Sequence, residues 1–271
     1  LEVPLDTDFN QVMMEAASTA AIAPAMPAPS EAATQRAAPG GGLISGVPQT
    51  FADYIQYLRQ TGIDVVFVID ATGSMVWVHN RVRARIETLS QYVRNLVPLA
   101  RFGVIAYRDY QDPEFVIRVS QPSFDIVKAR AFMSQLDALG GGDVPEAVTE
   151  ALRQAENTIN WRTGAQRVLI VIGDAPPHRY EADEALTIAD RMKRRGARLS
   201  LVDSRVEANR SYLGRVNSLG GASLREQGVL PSFRALAQSG GGLAVTLAAE
   251  RQLKKTLALL IFDDRFHDEL A

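Results

Sequence analysis

Apolar positions come in dense blocks along this chain, separated by stretches where they recur every three or four residues. The block "IDVVFVID" (63–70) is nearly continuous in Val, Ile and Phe and predicts a strand buried on both faces. Similar blocks at 101–108 ("RFGVIAYR"), 114–120 ("EFVIRVS"), 167–174 ("RVLIVIGD"), 197–203 ("ARLSLVD") and 243–247 ("LAVTL") predict five more. Helical spacing over 81–96, 124–139, 145–159 and 181–195 predicts helices between them, with two more ending at Ser239 and near Phe262. Gly140, Gly141 and Gly142 stop one of these helices, while Asp143 is placed to cap the next and Pro145 falls in its first turn.

Apolar strands alternating with helices imply a three-layer α/β/α sandwich around a central, mostly parallel sheet. Ligands of such sheets bind outside the carboxyl ends of the strands. The loops at 70–74 and 140–143 and the residue Asp174 all leave strand ends or helix starts on that edge.

Composition adds a tether. Residues 13–42 are largely Ala, Pro, Ser, Thr and Gly, too few of them bulky and apolar to offset chain entropy on folding. Residues 1–50 therefore read as a flexible Ala/Pro/Gly-rich segment and 51–271 as one folded domain. The chain opens at Leu1, which reads as a fragment or processed product. Such linkers often tether an extracytoplasmic or periplasmic domain, and an ordinary tail explains the segment as well.

A formal charge of −2 disfavours nucleic acid as a partner. The lack of cysteine excludes disulfides and zinc-thiolate sites. Apolar runs such as "TLALLIF" are too short to insert in a membrane.

Asp70, Thr72 and Ser74 alternate across Gly73, so a tight loop can aim their three oxygens at one point. A hard divalent cation, Mg2+ or Mn2+, takes such ligands, and capping of the next helix explains the same residues. "FVIDATGSM" resembles the first loop of the von Willebrand factor type A domain, a Rossmann-like fold whose Asp-x-Ser/Thr-x-Ser pattern opens a metal-ion-dependent adhesion site. Over roughly 61–262, "FGVIAYRDY", "GGGDVPEAV", "VLIVIGDAPPH" and "LAQSGGGLAVTL" are similar to later parts of that domain, in order.

The resemblance implies a cation held by Asp70, Thr72, Ser74 and Asp174, and a protein partner that supplies an acidic residue as the last ligand. Gly142 stands where the family often has threonine, so Asp143 is the expected substitute ligand, with its role as helix cap the alternative. A third carboxylate would hold the cation more tightly and weaken its pull on an outside acid, which leaves open a structural or lost metal with partner binding elsewhere.

"IDATG" with "IGDAPPH" also resembles aspartyl-phosphate phosphotransferases of the haloacid dehalogenase type. His178 stands where that chemistry wants an acid, and Lys128 is the only lysine before Lys193, so the expectation is a domain without enzymatic activity. Around the loops, Trp77 in the apolar run Met75, Val76, Trp77, Val78 is a candidate partner anchor, as are Arg108 and Asp109 after the second strand and His178 after the third loop. A Trp packed on its own helix, an exposed turn and a solvated loop histidine are the respective alternatives. The polar stretch 207–231 is longer than an ordinary connection.

Overall fold

The computed structural model describes residues 48–140, 145–208, 228–247 and 250–266. Asp143, the tether at 13–42 and most of 207–231 lie outside them. A first helix, α1 (Phe51–Thr61), leads into β1 (Ile63–Asp70), α2 (Val76–Leu96), β2 (Ala100–Tyr107), β3 (Ile117–Ser123) and α3 (Ile126–Ser134). There follow α4 (Val148–Asn157), β4 (Gln166–Gly173), α5 (Ala182–Arg194), β5 (Ala197–Asp203), α6 (Pro231–Gly240), β6 (Gly241–Thr246) and α7 (Glu250–Phe262).

The six strands form one sheet in the order β3-β2-β1-β4-β5-β6. All pairs are parallel except the edge strand β3, which runs antiparallel to β2. The mostly parallel three-layer sandwich expected from the sequence is therefore the observed fold. β1 and β2 are buried at every position, as strands with helices on both faces must be. Val65, Phe67 and Ile69 face a core shared with α1, α2, α3 and α7; Val66 and Val68 face a second core under α4, α5 and α6. The chain leaves β1 toward β2 and β3, then returns to β4 on the other side, so the sheet reverses direction between β1 and β4. Ligand crevices open at such points.

Three sequence expectations are corrected. α1 was not anticipated, although Thr50 and Asp53 form a reciprocal capping box and Phe51, Tyr54, Ile55 and Leu58 make its buried face. It ends at Gly62, whose φ of 82° suits glycine and whose bare Cα leaves room for the Arg162 guanidinium. β3 begins at Ile117 and not at Glu114, because Asp112 accepts the amides of Glu114 and Phe115 and holds them in a turn. α4 begins at Val148, with Pro145 outside it. The Glu146 amide donates to Pro176 O at 3.1 Å, and this tertiary bond draws the segment out of the helix.

Below the sheet, at the amino ends of β1 and β2, the Asp64 carboxylate is fully buried and accepts from Arg101 Nε (2.9 Å), Arg101 Nη2 (2.7 Å), Arg162 N (2.9 Å) and Arg162 Nε (2.9 Å). Burial alone would raise its pKa, but the two guanidiniums outweigh that and hold it below the ordinary aspartate value. This staple lies at the end of the sheet opposite the crevice.

Candidate metal centre at the carboxyl edge of the sheet

The row Tyr107, Asp70, Gly173, Asp203 closes the carboxyl end of four adjacent strands in register. Side chains directly opposite one another share a face, and alternation from Val66 and Val68 puts this row on the α4–α6 side. Just beyond Asp70 the chain turns. Thr72 N and Thr72 Oγ1 both donate to Asp70 Oδ1, at 2.9 and 2.6 Å, and Thr72 Oγ1 lies 3.2 Å from Ser74 Oγ. Short polar side chains bond their own backbone two residues on in this way, which fixes the loop before α2 begins.

Neighbouring loops hold this turn in place. Gly73 N donates to Gly140 O at 2.9 Å, and Leu139 N donates to Ala71 O at 3.2 Å. Arg108 Nε donates to Ala71 O (3.1 Å) and Nη2 to Asp137 O (2.8 Å), while Nη1 pairs with Asp112 and Glu114. The five donors of a guanidinium suit this clamp. On the far side of 141–144, Glu146 is bonded to the third loop at Pro176.

Asp174 follows β4 and stands against Asp70 and the Ser74 hydroxyl. Burial, with the charge of Asp174 adding to it, pushes the Asp70 carboxyl up to about 7. Burial raises the Asp174 carboxyl as well, helped by Asp203 and opposed by hydrogen bonds from Ser74 and Asp70. Asp70 Oδ2 is buried with no amide or guanidinium donor against it; the groups beside it are the Asp174 carboxyl and the Tyr107 phenol. A buried carboxylate oxygen in that state is costly unless a positive group or a proton satisfies it.

The described donor set is two carboxylates and two hydroxyls, all hard oxygens, which fits Mg2+ or Mn2+ and not a soft metal. Among the described residues no three His, Cys, Asp or Glu side chains converge on one point. Asp70, Thr72, Ser74 and Asp174 are brought together as the sequence implied, whereas Asp143 lies outside the described residues.

The rim differs from expectation. Arg108 and Asp109 are both buried, so neither is an exposed rim residue: one clamps the loops and the other meets His178 Nε2 at 2.8 Å. His178 packs between the rings of Tyr110 and Tyr180, at 5.3 and 5.2 Å between centroids. Met75 and Val78 face the core, leaving Val76, 42% exposed, at the surface. Trp77 lies in the first turn of α2 and its side chain is outside the described part. Tyr180, 76% exposed, is the large rim side chain that sequence reasoning missed. Tyr107 was missed too; its only signal was a polar tip at the end of an apolar strand.

Comparison with known proteins agrees with this architecture. Residues 64–249 match the family model described as von Willebrand factor A domain. The chain is 30% identical over 122 residues to an alpha-protein kinase, vwkA, of Dictyostelium discoideum, covering 44% of this chain and 19% of that protein. It is 30% identical over 120 residues to a putative ariadne-like RING finger protein, R811, of Acanthamoeba polyphaga mimivirus, covering 44% of this chain and 12% of that one. In each case the chain spans less than a fifth of the curated relative's length. A solved structure of an aerotolerance-related membrane protein from Bacteroides fragilis superimposes with a TM-score of 0.52 at 16% identity, over 74% of this chain and 98% of that one. With the matched segment running from β1 through β6, this chain belongs to the von Willebrand factor A domain family.

Proposed function

We propose that this domain is a divalent-cation-dependent protein interaction module, with Mg2+ or Mn2+ held by Asp70, Thr72, Ser74 and Asp174 and, in the second loop, by Asp143. The observation that carries the reading is the buried Asp70 Oδ2, met by no amide or guanidinium donor, beside the Asp174 carboxylate, at the point where the strand order reverses. A bound cation would supply the positive charge that these two acids lack and would offer an open position to an acidic residue of a partner. The chain's own residues prepare this arrangement: Thr72 fixes Asp70 Oδ1, Ser74 faces Asp174, and Arg108 ties the first loop to the approach of the second.

Protein binding fits the family, and the exposed Val76 and Tyr180 near the crevice give a partner apolar and aromatic surface to rest on. Against a phosphoryl-accepting aspartate stands the full burial of Asp70, whose Oδ1 already accepts two bonds from Thr72. No described helix is long and apolar enough to cross a membrane. Placement outside the cytoplasm belongs to the proposal and rests on the Ala/Pro-rich segment; fractionation of cells making the full-length protein tests it.

Calorimetric titration of chelator-treated protein with Mg2+ and Mn2+ tests the site, beside folded Ser74→Ala and Asp70→Ala variants. Binding by the parent that is lost in both variants supports it. A folded parent that binds neither ion overturns it and moves the search to a surface that works without metal.

A further inference from the structure

The side chain of Tyr107 leans across Asp70. The two residues face each other in register at the ends of β2 and β1, and Gly173 is the next residue along the same row, on β4. A Cβ on Gly173 would collide with the Tyr107 hydroxyl and would stand 3.3 Å from Asp70 Oδ2. The hydroxyl of a β2 residue thus reaches past β1 to the backbone of β4 at Gly173, on the α4–α6 side of the sheet. Only a glycine at 173 leaves space for it.

Both atoms at this meeting point are anomalous. Tyr107 is fully buried, and its hydroxyl stands against the Asp70 carboxylate without a well-formed hydrogen bond to it or to any other group. A buried phenol usually finds a partner, and leaving one unsatisfied destabilises a fold. Phenylalanine would fill the same space without that penalty. The acids around the hydroxyl are Asp70, Asp174 and Glu146, and a phenol among them is a hydrogen-bond donor. A proton donor placed among acids, at a cost to the fold, is the pattern of a group kept for a site.

We propose that Tyr107 is a positioning residue for the cation site: its hydroxyl, given room by Gly173, holds the Asp70 carboxylate in place from the helix side, so that the carboxylate presents itself to the Thr72, Ser74 and Asp174 oxygens. Outer partners of this kind orient ligands that they do not replace. The inference rests on the cation reading above and adds to it a residue outside the ligand set.

The test is Tyr107→Phe in the whole chain, read two ways: Mn2+ affinity by calorimetry, and the melting temperature of the chelated protein by circular dichroism. Loss of an outer partner typically weakens metal binding by about 10- to 100-fold. The expected result is Mn2+ affinity down by about tenfold or more while the chelated variant melts at the parent's temperature or above it. A residue that served packing alone would leave both unchanged, because phenylalanine fills the same space. Equal Mn2+ affinity in parent and variant, or a melting temperature that falls along with affinity, overturns the inference while leaving the cation site standing. A parent that binds no Mn2+ overturns both.

Discussion

His178 Nε2 lies 2.8 Å from Asp109 Oδ1, so the loop after β2 and the loop after β4 meet above the end of β1, the strand between them. Tyr110 reinforces the junction through its hydroxyl, 2.9 Å from either oxygen of Glu181. Asp109→Ala removes the buried acceptor and leaves the imidazole without its partner. We expect a loss of about 1–2 kcal/mol and faster amide exchange at 108–112 and 176–181. Unchanged exchange in both segments would show that the junction contributes nothing to holding them.

Asp64 sits under two guanidiniums at the opposite end of the sheet. Asp64→Asn would leave Arg101 and Arg162 buried without their charge partner, and breaking such a pair costs about 3–5 kcal/mol. Because the folded carboxyl is held below its ordinary value, its contribution is present above about pH 4 and is lost as pH falls further. Urea melts of parent and variant at neutral and acidic pH should therefore converge on acidification. Mn2+ affinity should be the same in both, since the pair lies far from the crevice.

The Asp70 carboxyl has the opposite sign. Its folded value near 7 lies above the ordinary value of about 4, so in chelated protein the fold is favoured at low pH and loses stability as pH rises from about 4 through 7. At about 1.4 kcal/mol per pH unit, the limit is on the order of 4 kcal/mol. Asp70→Asn removes the titration while keeping the shape. Chelated variant and parent should diverge between about pH 4 and 7, the variant being the more stable at the upper end. Parallel pH profiles would show that the pair carries no buried charge.

Gly173→Ala places a methyl group against the Tyr107 hydroxyl. Overpacking of this kind costs about 1–3 kcal/mol. In a Tyr107→Phe background the obstructing oxygen is gone, so the penalty of the alanine should shrink. A double-mutant cycle on melting free energies measures the difference, and strict additivity would mean that the Tyr107 hydroxyl does not press on residue 173.

Arg108→Lys keeps the charge but cannot reach Ala71 O, Asp137 O and the two acids at once. A stability loss of about 2 kcal/mol is expected, together with weaker Mn2+ binding, because Ala71 O anchors the loop that carries Thr72 and Ser74. Full retention of both would show that the clamp is redundant.

The sequence by itself determined the strands and the order of the loops. Doubly buried strands require continuous apolar runs, so 63–70 and 197–203 were legible to the residue, and an acid with two hydroxyls across a glycine marked the first loop. Tertiary structure decided what depends on partners distant in the chain. Glu146 was drawn out of α4 by Pro176, Arg108 and Asp109 were turned inward by Ala71, Asp137 and His178, and Tyr107 was laid over Asp70 through the space at Gly173. Local pattern records a residue's own preferences, whereas burial of charge and the direction of a hydroxyl are set by groups about 30 to 70 residues away, which meet only when the sheet closes in register.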